Sequence, residues 1–423
     1  MILNIKEKYL LFFFLIFWFF TLIGSTLYIG NTMFSIRNLL FPFLIASIYL
    51  IRKYPMNRKQ IWFFLPLGLL FIYGTISLFI NGIKDIEIVK DYFYFSFIPV
   101  LYVSIMMLSN KFKTDFFRHI KEFAYFLIFF LFAFTLFEFI TDIHLPVHTP
   151  NRYHIPSTFF TNANDLSVIM IQLLMLVSVL KKKSDSQCLY RIAFLLTTFV
   201  VFVTLSRLAL VAFIIISISI FLSKEFKRKD LIINSLVIIL TLVYLSIDIP
   251  SPKNSSTVVD RSKTRISSMT HFDEDEDDLN SLDDYQNLDL DSEITISSTR
   301  IRMDIYRIPF RNPSEFIFGN SFNSDKEIIT KHRTLPYRIV NSHSYFIQII
   351  FYFGWIGLGL MVLFFGTLGI FALGELKTMA FFLPVIITQA LLLNIPSSVM
   401  RFPLVWIPFF ITIAYYISIK RDK

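Results

Sequence analysis

The residues best equipped for chemistry are one imidazole and a few guanidinium groups. His343 stands immediately before a long apolar run, in NSHSYFIQIIFYFGWIGLG (341–359). An imidazole titrates near neutrality and can take a proton from a hydroxyl group. Arg207 lies in TLSRLAL (204–210), and Arg300 and Arg302 lie in SSTRIRMDIYRIPF (297–310). Arginine stays charged and grips phosphate oxygens in pairs, so this combination suits a phosphate-bearing substrate. A further polar group, Asn162, Asn164 and Asp165 in FTNANDL (160–166), opens another apolar run. Each feature also has a plainer reading. Asn164 or Asp165 can be a helix N-cap, Arg207 a snorkelling boundary residue, the loop arginines a solvated or headgroup-facing surface, and His343 a polar interface residue.

Other chemistry finds no support. There is no Cys/His ligand spacing, HExxH, GxSxG or Walker lysine, so no metal, cofactor or nucleotide is expected and the energy must arrive in the substrate. Cys188 is the single cysteine, so no internal disulfide forms. The net charge of +9 comes from short basic clusters between apolar runs. Membrane orientation explains them better than nucleic acid does.

The elements that position these groups are membrane helices. The chain is 55% hydrophobic with 51 Phe, and charged residues make up 17%, against about 25% in soluble domains. Apolar runs near 9–24, 38–51, 61–80, 92–108, 123–140, 164–180, 231–248, 344–372, 379–395 and 402–419 approach the ~20 residues a bilayer requires. The first resembles a signal sequence, but no small-x-small cleavage pattern follows, and it reads as a retained span. The stretch 192–223 is apolar apart from Ser206-Arg207 at its centre. One long helix would bury an arginine at mid-bilayer and exceed a core of roughly 30 Å; two short spans meeting in a turn avoid both.

The expected fold is therefore an all-α polytopic membrane protein with about 12 transmembrane helices and both termini cytoplasmic. Lysine and arginine gather in alternate short loops such as 52–59, 111–122 and 181–191, which sets that orientation. Residues 1–248 hold spans one to nine, 249–343 form one long extracytoplasmic loop, and 344–423 hold the last three. The acidic stretch 271–293 of that loop reads as a solvated insertion, since the turn glycine and closing glutamate of a calcium loop are missing. Ile301, Ile305 and Ile308 suggest a short amphipathic helix (about 298–308) against the membrane surface, stopped by Pro309 and then Asn312-Pro313. All the polar features above fall on the external side in this arrangement.

In order and spacing these motifs resemble the O-antigen ligase and O-antigen polymerase superfamily. The likeness rests on FTNANDL, on TLSRLAL, on a loop arginine followed by Asn312, Pro313 and Gly319, and on NSHSYF followed by Gly354 and Gly357. It covers about 160–365, and the first five spans are similar in hydropathy alone. The resemblance implies a metal-independent glycosyltransferase with a polyprenyl-diphosphate-linked glycan as donor and a glycan or lipid as acceptor. It implies a multi-pass protein of the bacterial cell membrane, working among membrane lipids and other polysaccharide-export components. His343 would be the base, and Arg207 with Arg302 or Arg300 would bind the diphosphate. Tyr306, four residues after Arg302, favours Arg302, while Ser298-Thr299 favours Arg300. Asn162, Asn164, Asp165 and Tyr345 would contact substrate. The rival class is a transporter or lipid-oligosaccharide flippase, against which stand the lack of an internal repeat and the few charges inside spans. A third, an external sensor built on the acidic loop, predicts that deleting 273–293 abolishes function.

Overall fold

In the computed structural model the described residues are 5–23, 36–83, 85–141, 156–160, 162–182, 185–204, 206–222, 298–334, 342, 344–375, 381–395 and 402–419. Among them every regular element is helical. In order they are α1 (Ile5–Ile23), α2 (Ile36–Leu50), α3 (Arg58–Asn81), α4 (Ile86–Phe112), α5 (Thr114–Thr141), α6 (Ala163–Leu180), α7 (Gln187–Val203) and α8 (Arg207–Leu222). There follow α9 (Ser298–Arg311), α10 (Asp325–His332), α11 (Tyr345–Gly374), α12 (Phe382–Leu392), and a 3-10 turn (Pro403–Trp406) that runs into α13 (Ile407–Ile419). Helices α3, α4, α5, α6 and α11 are long and apolar enough to cross a membrane, and shorter apolar helices accompany them. The described residues are thus all-helical and compatible with a polytopic membrane protein. The expected span at 231–248 and the acidic stretch at 271–293 lie outside the described residues.

Helix α6 is the axis. Its sequence, ANDLSVIMIQLLMLVSVL, is apolar on every side, the pattern of a helix surrounded by others. The structure buries 94% of its apolar window, against 39% for α3 and α5. Gln172, at its middle, would be costly here without partners. Its Nε2 donates to Gln389 Oε1 and to the Val405 carbonyl, both at 2.7 Å, which ties α6 to α12 and to the 3-10 turn.

The apolar stretch 192–223 folds back on itself. The Phe194 ring lies 5.6 Å from Phe213. In one straight helix, 19 residues would hold them about 28 Å apart. The chain breaks between Val203 and Arg207 and avoids a mid-helix arginine, as the desolvation argument requires.

The last long span departs from expectation. The single helix expected at 344–372 is broken at Gly354, whose φ of 67° and ψ of −166° are not helical. The segment 316–321 fills the break: Trp355 N donates to the Phe316 carbonyl (2.9 Å), Asn320 N to the Phe351 carbonyl (2.8 Å) and Ser321 N to the Tyr352 carbonyl (3.0 Å). Gly319, with φ of 76°, lies against Gly354, and a Cβ on either would collide with the other segment's backbone. Two glycines thus allow two main chains to touch and to satisfy the groups that the break exposes. What remains after the break, 355–374, is about 20 residues, roughly the 30 Å of a bilayer core.

The amphipathic helix forms as α9 but runs on through Pro309 to Arg311. Proline in the last turn removes one donor without ending the helix, and Asn312-Pro313 ends it instead. Ile301, Ile305 and Ile308 are buried, and α9 packs on α10 and α11. Phe310 packs on Trp355 at 5.3 Å, and Trp355 Nε1 donates to the Pro313 carbonyl.

Candidate active site

The start of α11 is held by its neighbours on both sides of position 343. Ser344 caps the helix, accepting from the Ile347 amide, and donates to Asn394 Oδ1 at 2.5 Å. Tyr345 N donates to the Leu393 carbonyl (3.1 Å), fastening this end to the end of α12. The hydroxyl of Ser342, itself buried, donates to the Ser344 carbonyl. Residue 343 and the side chain of Arg207 lie outside the described residues.

The start of α6 lies at the same end of the bundle. Phe160 packs on Phe402 (5.9 Å) and Tyr345 on Trp406 (5.6 Å), so the 3-10 turn bridges the starts of α6 and α11. The cap of α6 is Asn162, with an extended backbone and Oδ1 accepting from Asn164 N at 3.0 Å. Asn164 and Asp165, the residues expected to cap, are instead in the first turn. Asp165 is buried, and its Oδ1 has no hydrogen-bond partner among the described residues. Ser178 and Tyr190 hydroxyls, 3.0 Å apart, join the far end of α6 to the start of α7. Helix α7 then runs back, and the turn after Val203 delivers Arg207, the first residue of α8, to the end where α6 begins.

Arg300 and Arg302 are half-buried on α9, which packs on α10 and α11. Burial pushes the Tyr306 hydroxyl above its ordinary pKa while the positive charge of Arg302 pulls it down, which sets Arg302 close to this ring one turn on. Between the two lies Asp304, buried, with its carboxylate accepting from Arg311 Nη1 (2.9 Å), Thr334 N (3.0 Å) and Thr334 Oγ1 (2.6 Å).

Two buried groups escaped the sequence reading. Glu138 on α5 accepts from the Ser157 and Thr158 amides, both at 2.8 Å, and so fixes the chain entering FTNANDL. The other is a polar chain: Asp91 on α4 accepts from the Tyr352 hydroxyl (3.0 Å), Gln348 Nε2 lies 3.1 Å from that hydroxyl, and Gln348 also reaches Asp325 on α10 (3.5 Å). The signal for both was present, since an acid within or beside a membrane run demands a partner. Among the described residues no three His, Cys, Asp or Glu side chains group to hold a metal ion.

This end of the molecule offers a capped helix start beside position 343, another helix start at Arg207, and α9 with its two half-buried arginines packed on α11. No curated protein matches the chain. Residues 192–362 match the family model described as O-Antigen ligase, an interval that includes Arg207, α9, position 343 and the Gly354 break. Over that interval, which is less than half of the chain, the protein is similar to the O-antigen ligase family.

Proposed function

We propose that the chain is a metal-independent membrane glycosyltransferase that joins polyprenyl-diphosphate-linked oligosaccharide units, as polymerase or ligase, at the outer leaflet of a bacterial cell membrane. About twelve spans with both termini cytoplasmic put the starts of α6, α8 and α11 on that side. His343 takes the proton from the acceptor hydroxyl as its oxygen attacks the anomeric carbon, and the bond to the donor diphosphate breaks. Arg207 with Arg302 or Arg300 balances the charge that grows on the leaving diphosphate. A single displacement with one base inverts the anomeric centre. Asn162, Asn164, Asp165 and Tyr345 line the acceptor side.

The observation that carries the reading is the gathering of the starts of α6, α8 and α11 at one bundle end, with the arginine-bearing α9 packed on α11. The test is His343→Ala in cells, scored by surface-polysaccharide length. Loss of polymer at unchanged protein level is expected, and long chains persisting in the variant refute the proposed base.

A further inference from the structure

Helix α9 is pressed onto its neighbours by Ile301, Ile305 and Ile308, but apolar burial is non-directional and leaves rotation and sliding loosely set. Asp304 supplies direction. Its carboxylate is 4% exposed and sits between Arg302 and Arg307 in sequence, on the inward face of the helix. It accepts from Arg311 at the end of α9 itself, and twice from Thr334, once from the amide and once from the hydroxyl. Thr334 follows α10 and stands nine residues before position 343. Charge-assisted bonds of 2.6–3.0 Å to both groups of one residue fix distance and angle together. A second fastening joins the same two pieces: Glu315 accepts from Lys331 Nζ (2.6 Å) and lies 3.2 Å from His332 Nε2, in an exposed setting.

We infer that Asp304 is a positioning residue, which through Thr334 sets the rotation and axial placement of α9, and so of Arg300 and Arg302, against the chain that leads into position 343. The inference rests on the reading of those arginines as diphosphate-binding groups. Asp304 itself touches no substrate. It acts by holding the guanidinium groups where the diphosphate arrives, and a misplacement of about 1 Å at a reacting site costs up to about 100-fold.

The test is binding of inorganic diphosphate to the purified full-length chain in lipid nanodiscs, beside the thermal unfolding midpoint of each variant. Thr334 is exposed, so Thr334→Val removes the hydroxyl bond without opening a core, and Thr334→Ser retains it. Asp304→Asn and Thr334→Val are each expected to weaken diphosphate binding about tenfold. Thr334→Ser should bind as the parent does, and Thr334→Val should unfold at the parent's temperature. Glu315→Gln, which loosens the exposed fastening alone, should leave binding unchanged. Arg300→Ala/Arg302→Ala is measured in parallel and should lose binding. Parent-like binding by Asp304→Asn and Thr334→Val, with binding lost in the double arginine variant, overturns the inference and leaves the arginine reading standing. Equal weakening by Glu315→Gln also overturns it, since general loosening would then suffice. Parent-like binding by the arginine variant removes the reading of the arginines and the inference with it.

Discussion

The two ends of the helix bundle are closed in different ways. At one end the loops cap themselves. Asn57 and Gln60 form a reciprocal cap on α3, and Asn110 bonds Gln60 and the Pro55 carbonyl. The Lys121 ammonium pairs with Asp185 at 2.6 Å. At the other end, closure is made by main chain from distant segments: Glu138 on the Ser157 and Thr158 amides, Tyr345 N on Leu393, and the 316–321 segment in the break at Gly354. The first arrangement is what a short loop between two spans requires. The second joins backbone groups far apart in sequence, which joining neighbouring helices does not require, and it suits the rigid support that the proposed site needs.

The comparison breaks most sharply at the glycine joint. Gly354→Ala places a Cβ against the Phe316 and Ile317 carbonyl oxygens at a positive φ and should cost about 3 kcal/mol or more. Gly359→Ala, in open space on the same helix, should cost nothing or add up to about 1 kcal/mol. Thermal unfolding in detergent decides: equal midpoints for the two variants would mean that the inserted segment does not hold this end. Next comes Glu138→Ala, which leaves two buried amides without this acceptor. It should cost about 2–4 kcal/mol, and proteolysis should then cut near 157. A variant as resistant as the parent would detach Glu138 from the FTNANDL segment. Gln60→Ala, at the self-capped end, should cost roughly 1 kcal/mol by the same unfolding measurement.

How far the molecule could be read in advance follows the same division. The fold-back at 204–207 was legible because one arginine in the middle of an apolar stretch admits few solutions. The stripe Ile301, Ile305 and Ile308 was legible because helical spacing is local. The break at Gly354 was not, since a glycine in an apolar run reads equally as close helix packing. Its meaning lies in Gly319, 35 residues earlier in sequence, with which it shares the positive φ and the contact. The cap of α6 was misplaced by two or three residues because Asn162, Asn164 and Asp165 are all competent caps. Spacing alone does not choose among them. An acid in the apolar run at Glu138 signalled that a partner was needed, but its partners are backbone amides, which carry no side-chain signature, so the contact itself was not legible. The candidate site is thus legible as residue types and order, while its supports depend on contacts that no local pattern encodes.

The smallest effect sharpens the contrast from the self-capped side. Burial pushes the Asp185 carboxyl up, but the bond from Lys121 and the Lys182 amide outweigh it and hold the group below its ordinary range. A carboxylate with a lowered folded pKa adds stability above its unfolded pKa, near 3.9, and that stability is lost as pH falls through the lowered value. Asp185→Asn should therefore cost less than about 1 kcal/mol at neutral pH, and the difference from the parent should shrink below about pH 4. Salt should shrink it as well, because the pair lies partly in solvent at a loop. Unfolding midpoints of parent and variant across pH and salt provide the measurement. A large cost that persists at low pH would make this end as dependent on a buried group as the other, and the distinction between the two ends would fail.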